Sequence, residues 1–318
     1  MIYLKLKGRI GNQLFMYATA RMIQLLKGKQ EEIIIEDSNN RSAEGIEYLN
    51  SLEYYLLPNV KFVHDKRIWD SKTMLLPKIR WNLIYHVLEK TNNQDKKYRI
   101  ALRNQNLYNK WGFFHIDDGY VSFPVAFKKD TVVDGYFQSE KFFYPIRDEI
   151  KALFRAEKEL LQANYPNIET IKKRNSVCIS IKVQHNVGNE MYDVCHETYY
   201  KRAIDYIEKH VENPLFFICS DDVEYVEKNL IDTTKYDVVR QDTSQPDYIT
   251  LAAMARCKHF IISNTSFGWW AQYLSVYSDK IVLVPSRWYN MRGSWQYDIY
   301  MDNWIRINPD GEDEENGE

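Results

Sequence analysis

The second half of the chain repeats one pattern, a short apolar run followed by an amphipathic stretch, and this repetition restricts the fold more than any other feature. Five apolar runs of strand length are separated by four stretches with helical spacing of apolar residues. Alternation at this interval predicts a parallel sheet covered by helices. The predicted strands are 177–181, 215–219, 238–239, 259–263 and 280–284, and the predicted helices are 197–209, 223–229, 247–256 and 267–275.

The amino-terminal half opens with the same kind of unit. An alternating run, a glycine-containing turn and a stretch with helical periodicity predict a strand–helix–strand unit that ends near residue 35. Later signals are a strand at 131–136 and an amphipathic helix at 146–161. Because the polar stretch after residue 163 marks a boundary, the 318-residue chain is predicted to be an α/β protein of two Rossmann-like domains that face a cleft. The predicted domains are 1–165 and 166–308.

The net charge of −2 hides an uneven distribution. Residues 61–110 carry twelve bases and four acids, whereas residues 309–318 carry six acids and no base. The near-neutral total argues against nucleic acid as a partner, and the acidic tail at 309–318 is predicted to be disordered. The basic stretch has two interpretations: a solvated lysine-rich surface, or a surface for peripheral association with an anionic membrane.

Cysteine usage and hydropathy predict a cytoplasmic protein. Two of the four cysteines lie in apolar runs, where a reduced, buried thiol is the simplest interpretation. No Cys-x-x-Cys pair or Cys/His cluster occurs in the sequence, so no metal site is predicted. The first six residues are too short for the apolar core of a signal peptide, and no apolar run approaches the roughly 20 residues of a membrane-spanning helix.

Polar residues follow three of the predicted strands, and the first such cluster is Gly-Arg-Ile-Gly-Asn-Gln at 8–13. Paired glycines permit a tight turn, and the amides at a helix N-terminus bind anions. A structural turn and a ligand loop therefore both fit, and the amide side chain of Asn12 favours the ligand loop with Gly11. The glycine spacing is shorter than in the dinucleotide fingerprint, which argues against an NAD-dependent enzyme.

The second and third clusters, at 220–222 and 263–266, follow strands of the second half. The acidic cluster either caps the next helix or accepts hydrogen bonds from a nucleotide or sugar, since ligands bind at the carboxyl ends of parallel strands. The hydroxyl-rich cluster either forms a polar capping turn or binds a phosphate with the help of helix amides. The candidate donor-site residues here are Ser220, Asp221, Asp222, Asn264, Thr265 and Ser266.

The strand at 177–181 ends in a further polar run that contains Lys182 and His185. Lys182 is a candidate phosphate partner, although a lysine at a strand end is also typical of a solvated surface. His185 is a candidate general base or a surface histidine.

Taken together, these segments resemble glycosyltransferase family 11, the α-1,2-fucosyltransferases. Residues 8–18 are similar to the family's G-x-x-G-N-Q-x-F-x-Y-A motif, and residues 135–143 to its G-Y-F-Q-S-E-K-Y-F segment. Residues 216–222 resemble F-x-x-F-S-D-D, residues 264–270 resemble N-S-T-F-S-W-W, and residues 285–289 resemble P-x-x-W-[FY]. The matches follow the family order over most of the chain.

The resemblance implies a GT-B-like fold, GDP-fucose as the donor, inversion at the anomeric carbon, and no metal or other cofactor. It also implies that the 2-hydroxyl group of a galactoside attacks the donor, in the synthesis of a bacterial-type surface glycan whose acceptor is lipid-linked or free. Residues 1–165 would then bind the acceptor and residues 166–308 the GDP-sugar. The predicted contacts to the GDP-sugar are then the residues of the two strand-end clusters together with Gly11, Asn12 and Lys182.

One motif departs from the family pattern. Aligned on residues 180–186, the family's H-x-R-R-G-D-Y places Ser180 at the histidine and Lys182 and Val183 at the two arginines. Lys182 keeps one positive charge but lacks the bidentate geometry of arginine. Two alternatives therefore stay open: a transferase for a different GDP-sugar, and a non-catalytic protein that binds nucleotide-sugars or glycans.

An attacking hydroxyl group usually needs a proton acceptor within reach. The sequence offers His185, Glu140 and Asp134 for this role. Each of these three side chains can act as a general base, so the sequence does not select one of them.

Overall fold

The computed structural model describes residues 1–28, 30–38, 40, 47–64, 93–155, 165, 167–291 and 293–311, with isolated positions between 75 and 90. The chain divides into two compact units. The first comprises Met1–Leu153 and Gly293–Ile299, and the second comprises Phe154–Arg292 and Tyr300–Glu318. The division thus falls before the predicted boundary at residue 165, and a short late segment returns to the first unit.

The first unit is built on a five-stranded parallel sheet in the order β3-β2-β1-β5-β4. Its strands β1, β2 and β5 are almost fully buried and mainly apolar, as expected where helices cover both faces, and each carries a charged residue at or near its end. The elements are β1 (Ile2–Lys5), α1 (Ile10–Lys27), β2 (Ile33–Glu36), β3 (Val60–Val63), α2 (Gln94–Lys110), β4 (Phe113–Ile116), β5 (Thr131–Gly135) and α3 (Arg147–Phe154).

The second unit contains a six-stranded parallel sheet in the order β11-β10-β9-β6-β7-β8. Counted from its own first strand, this order is that of a doubly wound Rossmann sheet. Its elements are α4 (Ile168–Lys173), β6 (Asn175–Ile181), α5 (Glu197–His210), β7 (Pro214–Ser220), α6 (Val223–Asn229), β8 (Val238–Arg240), α7 (Asp247–Met254), β9 (His259–Ile262), α8 (Ser266–Leu274), β10 (Val282–Pro285) and β11 (Ile305–Ile307).

The core of the second unit lies along its central strands. Val177 and Ile179 of β6 pack with Phe216 and Ile218 of β7 and with Tyr199 of α5, and all five side chains are essentially inaccessible to solvent. Such apolar central strands are the reason that the sequence pattern was clear in this half of the chain. The five strands predicted there are confirmed, whereas β11 was not predicted.

Two predicted charge features lie largely outside the described residues. Most of 65–92, within the basic stretch, is not described, so the hypothesis of membrane association rests on the sequence alone. Within the predicted tail, Asp310 accepts hydrogen bonds from Arg287 Nη1 at 2.5 Å and Nη2 at 2.8 Å, while residues 312–318 are not described. In the described part of the chain, no helix has both the length and the apolar character needed to cross a bilayer.

Candidate functional site

The second sheet reverses its winding between β6 and β9. These strands are adjacent, with Ser180 opposite Ile262, and the chain continues from β6 to β7 on one side and from β9 to β10 on the other. Ligands of open α/β sheets bind outside the carboxyl ends of the strands at this point. The polar runs at 182–186 and 263–266 both begin there, which makes this edge the candidate nucleotide site.

The N-terminus of α8 lies close against this edge because Gly268 has no side chain. A Cβ atom at Gly268 would stand 2.8 Å from Ser180 Oγ and 3.0 Å from Ile262 Cγ2. Thr265 caps the helix by accepting a hydrogen bond from the N–H of residue 267 at 3.3 Å, and both Thr265 and Ser266 are partly exposed. The start of α8 thus presents hydroxyl groups where helix amides and the helix dipole favour an anion.

The same contact explains the packing of Ser180, which stands at the histidine of the divergent motif. Ser180 is 2% exposed and faces Gly268, so its small side chain packs against the start of α8. Lys182, the first residue beyond β6, is partly exposed, and Gln184 and His185 farther along the run are exposed.

Lys182 and Asp221 meet at this edge although they are 39 residues apart in the sequence. They form an ion pair, and their side chains are 21% and 15% exposed. Asp221 Oδ1 also accepts hydrogen bonds from the backbone N–H groups of Val183 at 2.8 Å and Gln184 at 3.3 Å. Asp221 therefore orders the loop after β6 and holds the Lys182 ammonium group beside the candidate nucleotide site.

Asn264 is a structural hub at the same edge. The residue is 8% exposed, and its Nδ2 donates to the carbonyl oxygens of Tyr192 and Trp288, both at 3.0 Å. Its Oδ1 accepts a hydrogen bond from Asn186 Nδ2 at 3.2 Å. These contacts connect three loops, which argues against a direct donor contact by this amide.

Two other predicted donor residues serve as a helix cap. Asp222 Oδ1 accepts a hydrogen bond from the N–H of Tyr225 at 2.9 Å and so begins α6. Ser220 is buried, and its Oγ accepts a hydrogen bond from the N–H of Asp222 at 3.1 Å. For Asp222 and Ser220, these contacts favour the interpretation of the acidic cluster as a helix cap over that of a contact with the nucleotide or sugar.

The glycine-rich cluster belongs to the first unit. Gly8 adopts a left-handed conformation (φ 72°), and a Cβ atom there would come 2.7 Å from Asn12 Nδ2. Gly11 is buried in the first turn of α1, and Asn12 Oδ1 accepts a hydrogen bond from Gln138 Nε2 at 2.7 Å. Asn12 thus links two of the family-like motifs. Donor binding by Gly11 and Asn12 stays a prediction.

In the first sheet β1 and β5 are adjacent, and a buried ion pair lies at their carboxyl ends. Asp134, at the end of β5, is 1% exposed and pairs with Lys7, while Lys5 Nζ lies 3.9 Å from its Oδ2. Burial alone would raise the pKa of Asp134, but the charges of Lys7, Lys5 and His115 outweigh burial and hold this pKa below its usual range. A carboxylate so firmly ionised and enclosed is a poor general base, which argues against the predicted catalytic role of Asp134.

The other two predicted bases lie in different surroundings. His185 is exposed on the loop after β6 and adopts a left-handed backbone conformation (φ 69°). Glu140 is partly exposed at the start of the 3₁₀ turn Glu140–Phe142, which Ser139 caps. Of the three predicted bases, Asp134 and Glu140 belong to the first unit and His185 belongs to the second.

Two acidic residues that the sequence analysis missed, Asp117 and Asp118, follow β4. Asp117 lies 3.7 Å from Lys7 Nζ and 3.8 Å from His115 Nε2. Asp118 is partly buried; burial and the neighbouring charge of Asp117, opposed by Lys97, raise its pKa to about 7. The signal was present as an Asp-Asp pair after an aromatic run, but β4 falls in a segment that gave no clear pattern.

Among the described residues, one group has the composition of a metal site: Asp37, Glu53 and His64. His64 Nδ1 lies 3.0 Å from Asp37 Oδ2, and its Nε2 lies 3.5 Å from Glu53 Oε1. The two carboxylates thus face opposite nitrogens of one ring. The imidazole ring thus bridges the two acids, and one ligand atom from each of the three residues lies within 4.8 Å of the others.

Comparison with known proteins gives a consistent result. The family model described as "Glycosyl transferase family 11" matches residues 1–308. The O-antigen biosynthesis glycosyltransferase WbnK of Escherichia coli is 29% identical over 325 residues, which cover 96% of this chain and 100% of that protein. An alpha-1,2-colitosyltransferase of Escherichia coli is 29% identical over 181 residues, which cover 54% of this chain and 61% of that protein.

Solved structures of two fucosyltransferases have a similar fold. Fucosyltransferase NodZ from Bradyrhizobium superposes with a TM-score of 0.52 at 14% identity, covering 86% of this chain and 92% of that one. FUT1 of Arabidopsis thaliana superposes with a TM-score of 0.50 at 10% identity, covering 88% of this chain and 69% of that one. At these identities the likeness concerns the fold, and the predicted GT-B fold of two parallel α/β units is confirmed.

Proposed function

Because the chain belongs to glycosyl transferase family 11 and has the GT-B fold, we propose that this glycosyltransferase moves fucose from GDP-fucose to the 2-hydroxyl group of a galactoside, with inversion and without a metal. The second unit binds the GDP-sugar and the first unit binds the acceptor. The O-antigen enzyme among the relatives supports a bacterial surface glycan, free or lipid-linked, as the acceptor class.

The observation that carries this proposal is the arrangement at the reversal point of the second sheet. There Lys182, held by Asp221, and the N-terminus of α8 with Thr265 and Ser266 supply a cation, hydroxyl groups and helix amides. A leaving GDP accumulates negative charge on its diphosphate, and donors fixed in advance around that charge lower the barrier. NodZ, which shares the fold, was solved after soaking with GDP-fucose, and this supports a GDP-sugar as the donor class.

A second donor is favoured by one specific relative. The alpha-1,2-colitosyltransferase match makes GDP-colitose an alternative to GDP-fucose for the same transfer. The divergent run at 182–186, in which Lys182 and Val183 stand at the positions of two arginines of the family motif, is the part of the donor site where we expect such a difference in donor sugar to be recognised.

The proposed function is tested by incubating the purified protein with GDP-fucose or GDP-colitose and a panel of β-galactosides. Release of GDP together with a new α-1,2 linkage, identified by NMR, is the expected result. Transfer from GDP-colitose alone would select the second donor. GDP binding by calorimetry without turnover on any pair would instead support the non-catalytic alternative.

We expect the transfer rate to be the same in excess EDTA as in Mn²⁺ or Mg²⁺. The carboxylates at the donor edge are already engaged, since Asp221 pairs with Lys182 and Asp222 caps α6. Steady-state rates after dialysis against EDTA give the measurement. A loss of activity that Mn²⁺ restores would contradict metal independence and would direct attention to Asp37, Glu53 and His64.

A further inference from the structure

We propose that Asp118 accepts the proton of the attacking hydroxyl group of the acceptor sugar. This inference rests on the proposed function and adds the proton acceptor that the sequence analysis did not identify. Asp118 follows β4, at the carboxyl edge of the first sheet, where ligands of parallel sheets bind.

The neighbouring carboxylates of Asp117 and Asp134 form ion pairs, whereas Asp118 forms none among the described residues. Asp134 is enclosed with Lys7, and Asp117 shares Lys7 and His115. Among the contacts of the described residues, Asp118 takes part in no hydrogen bond or ion pair. Its carboxylate therefore keeps the lone pairs that proton transfer requires.

The loop that carries Asp118 is held in place on both sides. Gly119 has a left-handed backbone (φ 74°), and a Cβ atom there would come 2.7 Å from the Tyr98 ring and 3.0 Å from Trp295 Cβ. The N–H of Tyr120 donates to Asp298 Oδ2 at 2.9 Å. The segment Gly293–Ile299, which belongs to the first unit, therefore holds this loop in place. Efficient proton transfer needs a base that is held in a fixed position.

The surroundings of Asp118 also give it the proton affinity of a general base. A base is most effective when its pKa lies near the working pH, and burial together with the charge of Asp117 brings this pKa to about 7. The charged and titratable groups that act on it are Asp117 on its own loop, Lys97 on α2 and Tyr136 after β5.

The proposed step balances without another reactant. The acceptor oxygen forms a bond to the anomeric carbon while its proton passes to the Asp118 carboxylate. The bond from the anomeric carbon to the β-phosphate oxygen breaks, and its electron pair leaves with GDP. The protonated carboxyl group then returns the proton to solvent.

Asp118→Asn is the decisive variant because it keeps the shape of the side chain and removes the basic oxygen. We expect kcat for transfer to fall about 10²- to 10⁴-fold, with unchanged GDP affinity and melting temperature.

Wild-type kcat/KM for the acceptor should rise with pH through about 7, and this rise should disappear in the variant. Asp118→Glu should recover part of the rate. Asp95→Asn, which alters an acid paired with Arg99 on α2, is the matched control and should behave as wild type.

Three results would overturn the inference. The first is a kcat for Asp118→Asn within about threefold of wild type, because the usual contribution of a general base is much larger. The second is a rise of kcat/KM with pH that the variant retains, and the third is a fall in its kcat caused only by lost GDP binding or by unfolding. A wild-type protein that transfers no sugar from any donor would instead overturn the proposed function, and the assignment of Asp118 with it. Transfer by the wild type with an unaffected Asp118→Asn would leave the function standing and remove the base.

Discussion

Replacing Asp134 by alanine is expected to lower the free energy of unfolding by about 3 kcal/mol, because removing one partner of a buried ion pair leaves the other charge uncompensated. Asp134 is 1% exposed and pairs with Lys7, whose side chain is 25% exposed, so the lower end of the usual range applies. Urea denaturation followed by circular dichroism gives the measurement. Asp134→Asn, which keeps the shape of the side chain, separates the loss of charge from the loss of volume.

Asp130→Ala is the control for this effect. Asp130 is a partly exposed aspartate just before β5 whose Oδ1 lies 3.2 Å from the N-terminal amine, and ion pairs at the surface contribute at most about 1 kcal/mol. If Asp134→Ala and Asp130→Ala lose the same small amount, the pair of Asp134 with Lys7 does not stabilise the fold as argued.

The effect of Asp134 should also depend on pH in a defined direction. Burial would raise its pKa, but Lys7, Lys5 and His115 hold it below the value of the unfolded chain. A lowered pKa means that the folded state binds the proton more weakly than the unfolded state, so the stabilisation is complete above about pH 4 and is lost as the pH falls through the folded-state pKa. The difference in unfolding free energy between wild type and Asp134→Asn should therefore shrink below about pH 4. A difference that stays constant down to pH 2 would contradict an ionised pair.

The sequence predicted the second unit well and the first unit in part, for a physical reason: β1, α1, β2, β5 and α3 are confirmed, whereas β3, α2 and β4 were not predicted. Central parallel strands are covered on both faces, so β6, β7 and β9 are apolar runs that stand out against their flanks. Strands β3 and β11 lie at sheet edges and are partly exposed, so their composition resembles that of loops. Helix α2 is mostly polar along its length, which leaves little helical periodicity to detect.

The candidate site could likewise be predicted from the sequence in one respect and not in another. The carboxyl ends of parallel strands converge, so a strand prediction was sufficient to bring Lys182 and Asp221 to one edge. What each side chain does there depends on partners far away in the sequence. The pairing of Asp134 with Lys7 arises from a contact between distant residues, and the raised pKa of Asp118 arises from burial and the charge of Asp117. No local pattern encodes either of them.

Replacing Lys182 by methionine is expected to raise the dissociation constant for GDP about tenfold to a hundredfold. A hydrogen bond from a cation to a phosphate contributes roughly 1.5–3 kcal/mol, and each 1.4 kcal/mol is a factor of ten. The loop after β6 should survive the change, since Asp221 keeps its hydrogen bonds from Val183 and Gln184. Isothermal titration calorimetry at one fixed salt concentration measures the effect.

Two further variants make this test specific to the candidate nucleotide site. Lys182→Arg keeps the positive charge and should retain GDP affinity close to wild type. Lys235→Met removes an exposed lysine of the same unit, paired with Asp232 at 3.0 Å on a surface turn, and should leave the affinity unchanged. Equal affinities for Lys182→Met and Lys235→Met would show that Lys182 does not contact the phosphates. The N-terminus of α8 and its hydroxyl groups would then have to bind the diphosphate without a lysine, and the affinity for GDP would depend little on salt concentration.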